Sequence, residues 1–271
     1  MMTDRSQDAP AWTDHYAQVA RGWALGATLV YGPITEALLA RFPGSAERRA
    51  VLDVGAGTGL ASVGLTALGA FPIAVDFSPA MLSWQRTLRP PAAAADVRAL
   101  PLRTDSVDDC VAAFVLNHLE DPLAGLREIV RVVRPGGCVL AAGFSNSNHS
   151  EARDAVDAVA AEFGWSPPDW YTRLRELANP LLGNAQRMRA AAETVGLARV
   201  SVDEHPLDVG VTEPEQLVDY RLGQANFQPW LDALGAETAS HLRARSIAAA
   251  RPVMAPYTPG VVFLSAAVPL A

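Results

Sequence analysis

The sequence contains no lysine; all 22 of its basic residues are arginine. That excludes a Walker-type phosphate loop, whose lysine reaches the β- and γ-phosphates. With its abundant alanine, the composition points to a GC-rich genome. Positive charge is scarce as well: the net charge is −7, and Arg48-Arg49 in "AERRA" is the only adjacent arginine pair. It reads as a solvated loop. A chain without a basic cluster is a poor nucleic-acid binder, because such binding rests on neutralising phosphates. Cysteine is nearly absent. Cys110 and Cys138 both sit in apolar runs and read as small buried hydrophobes, not as a disulfide. Long hydrophobic runs are missing too. The most apolar window, "WALGATLVYGPITEALLA", is interrupted by glycine, proline, threonine and Glu36. A spanning helix needs roughly 20 mostly apolar residues, so no membrane span is expected. The opening "MMTDRSQDAP" is polar and acidic, unlike a secretory signal. A cytoplasmic protein is therefore expected.

What is present is enough apolar material for one substantial core: 271 residues, 50% of them hydrophobic. Between residues 51 and 145, short aliphatic runs alternate with helix-like segments. "RAVLDVGA", "FPIAVDFS", a short piece of "AAAADVRALPL", "VDDCVAAFVLNHL" and "CVLAAGFS" read as strands. "TGLASVGLTALG", "SPAMLSWQRTLR" and "DPLAGLREIVRVVRPGG" read as the helices between them. Ser78-Pro79 and Asp121-Pro122 are N-cap and first-turn pairs. Such alternation predicts a parallel sheet covered on both faces. Two late strands, "ARVSVDEHPLDV" and "GVVFLSAAVPL", complete it, separated by helical insertions. The predicted fold is a doubly wound, mostly parallel, seven-stranded Rossmann-like α/β sheet in a single compact domain. It divides into an N-terminal helical lid (1–50), a cofactor-binding core (51–145), and the remaining strands with two helical substrate-cap insertions (146–271).

The centre of the chain is "VLDVGAGTGLASVG", residues 51–64. Glycines after a strand let the backbone turn tightly and approach a ligand closely. A dinucleotide loop would read G-x-G-x-x-G; here Gly55 and Gly57 fit, but Leu60 holds the third place and the third glycine is Gly59. Asp53 stands just before the turn, badly placed for a pyrophosphate and well placed for a cation, and no arginine is expected there to neutralise a phosphate. Asp76 ends the next strand, where an acid can hold both ribose hydroxyls. Asp96 follows the third strand and can accept from an adenine amino group. Three carboxylates at three successive strand ends fit a nucleoside that carries positive charge and no phosphate. S-adenosylmethionine meets that description.

These segments resemble the class I S-adenosylmethionine-dependent methyltransferases. "VLDVGAGTG" is similar to their first motif, "AVDFSPAML" to the second-strand motif, and "VVRPGGCVL" to the turn before the fifth strand. "ADVRALPLRTDSVDDCVAAFVLNHLEDP" resembles the corresponding region of the ubiquinone/menaquinone-type small-molecule enzymes. The resemblance implies that Gly55, Ala56, Gly57 and Gly59 line the methionine moiety, with Asp53 near its amino group. Asp76 would hold the ribose, Phe77 and Met81 would flank the adenine, and Asp96 and Val97 would read its edge. Asn117 would lie beneath the sulfonium. Tyr16, or alternatively Tyr31, would close over the cofactor from an N-terminal helix. Two readings stay open for Met81, adenine contact or helix core, and for the N-terminal aromatics, cofactor lid or lid packing.

Methyl transfer is an in-line displacement on an activated methyl group, so alignment carries most of it and a base is optional. The base candidates are His118, after the fourth strand, with an ordinary pKa of roughly 6.5, and His15 in the lid. His118 can equally brace its loop. No metal is expected: His118, Glu120 and Asp121 lie close together, but Asp121-Pro122 already opens a helix. Acceptor contacts are expected from His149 and from the cap aromatics Trp165, Trp170 and Tyr171, with Tyr220, Phe227 and Trp230 in the second insertion. The alternative is that these aromatics form the caps' own core. The leading reading is methylation at oxygen or carbon of a small, largely apolar metabolite, in a natural-product or quinone-like pathway. The alternatives are a non-methylating step such as cyclisation with S-adenosylmethionine bound, a nicotinamide-dependent reductase, and a non-enzymatic binding protein. The oligomeric state is left open.

Overall fold

A computed structural model describes Tyr16 and residues 19–270 of the chain. His15 lies outside the described residues. The seven predicted strands form one sheet: β1 (Ala50–Val54), β2 (Phe71–Asp76), β3 (Ala92–Ala94), β4 (Asp109–Ala113), β5 (Cys138–Phe144), β6 (Ala198–Pro206) and β7 (Gly260–Ala267). Their spatial order is β3-β2-β1-β4-β5-β7-β6. β7 runs antiparallel to both neighbours, and the other pairings are parallel. The order of the chain reverses between β1 and β4, and a crevice opens outside the strand ends at such a point.

The central strands are aliphatic because helices cover both faces. Val51, Leu52 and Val54 of β1 and Val139, Leu140 and Ala141 of β5 are fully buried. On one face pack α1 (Thr28–Leu39) and α2 (Leu60–Ala67). α1 follows one α turn, Ala20–Gly22, and a π-helical turn, Trp23–Ala27. Val30, Ile34 and Leu38 of α1 are fully buried in the same cluster as Val51, Leu65 and Leu140. This stretch of the expected lid is thus part of the core. α3 (Pro79–Ser83) and α4 (Pro122–Val132) both begin as the sequence indicates: the Ser78 hydroxyl accepts from the Met81 amide and Asp121 from the Ala124 amide. The first insertion holds α5 (Glu151–Glu162), α6 (Asp169–Leu182) and α7 (Ala185–Thr194). The second holds α8 (Pro214–Leu222), α9 (Gln228–Leu234) and α10 (Ala236–Ala250).

Two expectations require correction. The fourth strand stops at Ala113 and does not continue through "FVLNHL". Phe114 takes a left-handed backbone (φ 61°) while its ring packs edge-on against Tyr31, with centroids 4.7 Å apart. Leu116–His118 then forms a 3-10 turn. The "AERRA" pair is not simply solvated either. Arg49 donates through Nε and Nη2 to the buried Asp109 at the start of β4, and Asp109 also accepts from the Cys138 amide at 2.7 Å. One arginine therefore ties the loop before β1 to β4 and β5. Cys110 and Cys138 are buried and free. Among the described residues no helix is long and apolar enough to cross a membrane.

Candidate active site

A cleft of about 1010 Å³, its open mouth included, lies at the ends of β1, β2 and β4. Its floor is the glycine turn. The Gly55 and Ala56 amides donate to Val75 O at 2.8 and 3.0 Å, which stitches the turn to β2. Gly55 (φ 68°) has no room for a side chain, since a Cβ there would lie 2.4 Å from the Cβ of Val115. Gly57 (φ 51°) is less crowded; its nearest heavy neighbour is the Met81 Cε at 3.5 Å. Gly59 (φ 100°) occupies the N-cap of α2 and is not on the cleft wall.

Asp53 is buried, and its Oδ2 accepts from the Ser62 hydroxyl at 2.5 Å. Burial pushes its pKa up to about 6 against that hydrogen bond. Each Asp76 oxygen accepts one backbone N–H: Oδ2 from Gly57 at 2.8 Å and Oδ1 from Ser78 at 2.7 Å. Burial raises the Asp76 pKa, with the two amides opposing. Phe77, Met81, Asp96 and Val97 continue the wall. The Asp96 carboxylate is engaged by the amide and guanidinium of Arg98; burial works against it, but Arg98 holds its pKa below the ordinary range.

An arginine does lie close in space. Arg89 donates to Gly57 O from behind the turn, and its Nε and Nη1 are buried without a partner. It is not on the cleft wall. Its attraction to Asp53 and Asp76 offsets part of the desolvation that lowers its own pKa. The sequence did not reveal it because Arg89 is 32 positions from Gly57.

Beside the cleft lies a second chamber with about 1220 Å³ of empty space, and Tyr16, Trp23, Tyr31 and His118 line both. The Tyr16 hydroxyl and His118 Nδ1 are 3.2 Å apart. Desolvation pushes His118 down to about 4, so the imidazole is neutral at physiological pH. The near-neutral pKa expected of an exposed histidine does not hold there. Asn117 lines the second chamber and not the cleft, its Oδ1 buried without a partner. Because β4 ends early, Val115 takes the place beneath the glycine turn.

Of the cap aromatics, Trp170, Tyr171 and Tyr220 line the chamber. Trp165 and Phe227 do not. Their rings stack at 4.1 Å with 8° between planes, Trp165 Nε1 donates to Asn226 O, and both side chains are buried. Trp230 packs edge-on against Phe227 and lines neither space. These three hold the caps together. His149 is exposed beside Asp154 at 3.3 Å and lines neither space. The chamber is more polar than the expected apolar pocket, because it is lined by Arg153 and Arg221 of the cap helices and by Gln224 and Asn226 of the turn between α8 and α9. Arg221, 4% exposed, donates to both Asp157 oxygens at 2.7 and 2.6 Å, and its Nη1 donates to Gln224. Asp121 is committed to capping α4, and Glu120 lies 3.8 Å from Arg173. Among the described residues no group of three His, Cys, Asp or Glu side chains is placed to hold a metal.

The residues fit S-adenosylmethionine. The turn at Gly55 leaves no room for a side chain, a buried carboxylate stands before it, and each Asp76 oxygen is held by a backbone amide at the second strand end. Residues 52–141 match the methyltransferase domain family. That segment is similar to the class I S-adenosylmethionine-dependent methyltransferases. Demethylmenaquinone methyltransferase from Mycobacterium sp. (strain KMS) is 36% identical over 157 residues, 55% of this chain and 64% of that protein. The enzyme of that name from Mycolicibacterium paratuberculosis is 39% identical over 100 residues, 37% of this chain and 44% of that one. These matches span less than two thirds of the curated relatives' length. Among solved structures, a Thermotoga maritima S-adenosylmethionine-dependent methyltransferase, described as a possible histamine N-methyltransferase, superposes with a TM-score of 0.58 at 15% identity. That match covers 95% of this chain and 99% of the other. The [4+2]-cyclase SpnF gives 0.55 at 16%, over 89% and 81%. At such identities the likeness is one of fold.

Proposed function

We propose that this protein binds S-adenosylmethionine in the cleft and transfers its methyl group to a small molecule in the second chamber. The observation that carries this reading is the shared wall. A cleft built for a cationic nucleoside and a separate chamber meet only where Tyr16, Trp23, Tyr31 and His118 line both. When bound, S-adenosylmethionine supplies a methyl group already activated by its sulfonium. The chain's own residues supply orientation. Asp53 faces the ammonium end, Asp76 accepts from the ribose, and Phe77, Met81 and Val97 enclose the adenine. The caps exclude water from the junction.

The neutral His118 and the Tyr16 hydroxyl form a hydrogen-bonding pair at the transfer point. They orient an acceptor group; a histidine with so low a pKa is a weak base, and a sulfonium donor needs little help. Among the described residues no aspartate or glutamate lines the chamber, which favours oxygen or carbon over a cationic amine as the methylated atom. The demethylmenaquinone methyltransferase relatives support a quinone-like or other specialised metabolite, and the free buried cysteines suit the cytoplasm. The division into lid, core and caps follows the same logic: residues 51–145 supply most of the cleft, the insertions after 146 most of the chamber, and Tyr16, Trp23 and Tyr31 of the N-terminal part line both. Incubation with trideuteromethyl-labelled S-adenosylmethionine and a fractionated small-molecule extract tests the reading. A product carrying the labelled methyl supports transfer. Conversion of a substrate with no mass increment would point to a non-methylating step such as cyclisation.

A further inference from the structure

The second chamber contains a half-buried arginine whose charge no carboxylate of the described residues answers. Arg153 stands in the first turn of α5 and lines the chamber. Its Nη1 donates to the Tyr257 hydroxyl at 3.2 Å, and its Nε is buried with no partner. Among the described residues no carboxylate pairs with it. The contrast is Arg221 of α8, in the same wall, which is engaged by Asp157 and Gln224. Asp157 is thereby spent, and among the described residues no acid lines the chamber. Asn226, 4% exposed, also faces the chamber with its Nδ2 buried and unpartnered. Leaving a guanidinium out of water without a counter-ion is costly, and so is leaving an amide donor unpaired. Chains keep such groups where a ligand completes them. A guanidinium fork matches a planar or tetrahedral oxyanion best.

We propose that the acceptor is an anion: it carries an acidic oxygen group, carboxylate or phosphate, that seats on Arg153 with Asn226 as a further donor in the chamber. Resting on the two-chamber reading above, this names the substrate class of the same site. The anionic end anchors in the caps, and the opposite end of the molecule reaches the junction at Tyr16 and His118. Arg153 thus selects which end is methylated.

The test is calorimetry on the full chain, with and without saturating S-adenosylhomocysteine, titrating 4-hydroxybenzoate, its neutral amide and phenyl phosphate. An anionic probe should bind about tenfold or more tightly than the amide. Whichever of carboxylate and phosphate binds more tightly identifies the group. Inorganic phosphate should compete. Arg153→Gln should reduce the preference for the acid to less than about threefold, and Arg153→Lys should keep part of it, with S-adenosylhomocysteine affinity unchanged in both. Equal affinity for acid and amide in the wild-type protein, no anion binding, or an undiminished preference in Arg153→Gln would each overturn the proposal. The wild-type comparison needs no variant to fold. If S-adenosylhomocysteine fails to bind while the acid preference holds, the methyl-transfer reading falls and the anion site stands. The reverse result removes the anion site alone.

Discussion

Asp76→Ala separates two roles that one carboxylate performs. In the folded protein its oxygens satisfy the amides of Gly57 and Ser78 at 2.8 and 2.7 Å, and it faces the cleft where the ribose is proposed to lie. Removing the ligand's charged hydrogen-bond partner costs about 1.5–3 kcal/mol, roughly 10- to 150-fold in affinity for S-adenosylhomocysteine. Removing the partner of two enclosed amides costs about 1–3 kcal/mol for each amide that water cannot reach. The relief of a desolvated carboxylate offsets part of this, since burial raises the Asp76 pKa. The net loss of stability should be about 1–3 kcal/mol, or about 2–12 °C in melting temperature for a domain of this size. Calorimetry with S-adenosylhomocysteine on protein shown by its melt to be folded reads the two effects separately. Unchanged affinity in the folded variant would refute the assignment of Asp76 to the ribose. Lost affinity together with an unchanged melt would refute its role in holding the turn.

Gly55→Ala should abolish cofactor binding, because the new methyl group meets Val115 at 2.4 Å; Gly57→Ala, with only its left-handed backbone to oppose it, should cost about 1–2 kcal/mol of stability, and paired thermal melts check the order. Asp53 has its folded pKa raised to about 6, so its contribution to the stability of the ligand-free protein is full below its unfolded pKa of about 3.9 and is lost as pH rises through 6. The ammonium end of the cofactor needs the ionised form, so S-adenosylhomocysteine affinity should rise with pH through about 6 and lose that dependence in Asp53→Asn; calorimetry across this range checks it. His118, held near 4, should give no ionisation near neutrality in single-turnover rates, and His118→Asn should slow them less than about tenfold, against the 10²–10⁴ of a true general base.

The sheet was legible because its signals are local. Aliphatic runs of strand length, the Ser78-Pro79 and Asp121-Pro122 starts, and the glycines after β1 each state their role within a few residues. Asp53 and Asp76 were legible as site candidates because a carboxylate at a buried strand end needs a partner. What escaped detection depends on tertiary contact. "FVLNHL" is as apolar as a strand, and only the ring of Phe114 packing on Tyr31 shows why the strand ends. Arg153, Arg221 and Asn226 look like solvated faces of cap helices until the two insertions fold against each other. Trp165 and Phe227 are 62 positions apart, so their stacking, which makes them cap core and not acceptor wall, leaves no periodic trace. Arg89 reaches Gly57 across a loop in the same way.

The cleft and the chamber are proposed to be the two halves of a methyl-transfer site. A crystal structure with S-adenosylhomocysteine bound tests it most directly. The ribose is expected on Asp76, the amino acid end over Gly55–Gly57 near Asp53, and the sulfur directed at the junction of Tyr16 and His118. Binding elsewhere, or with the sulfur turned away from the second chamber, would contradict it.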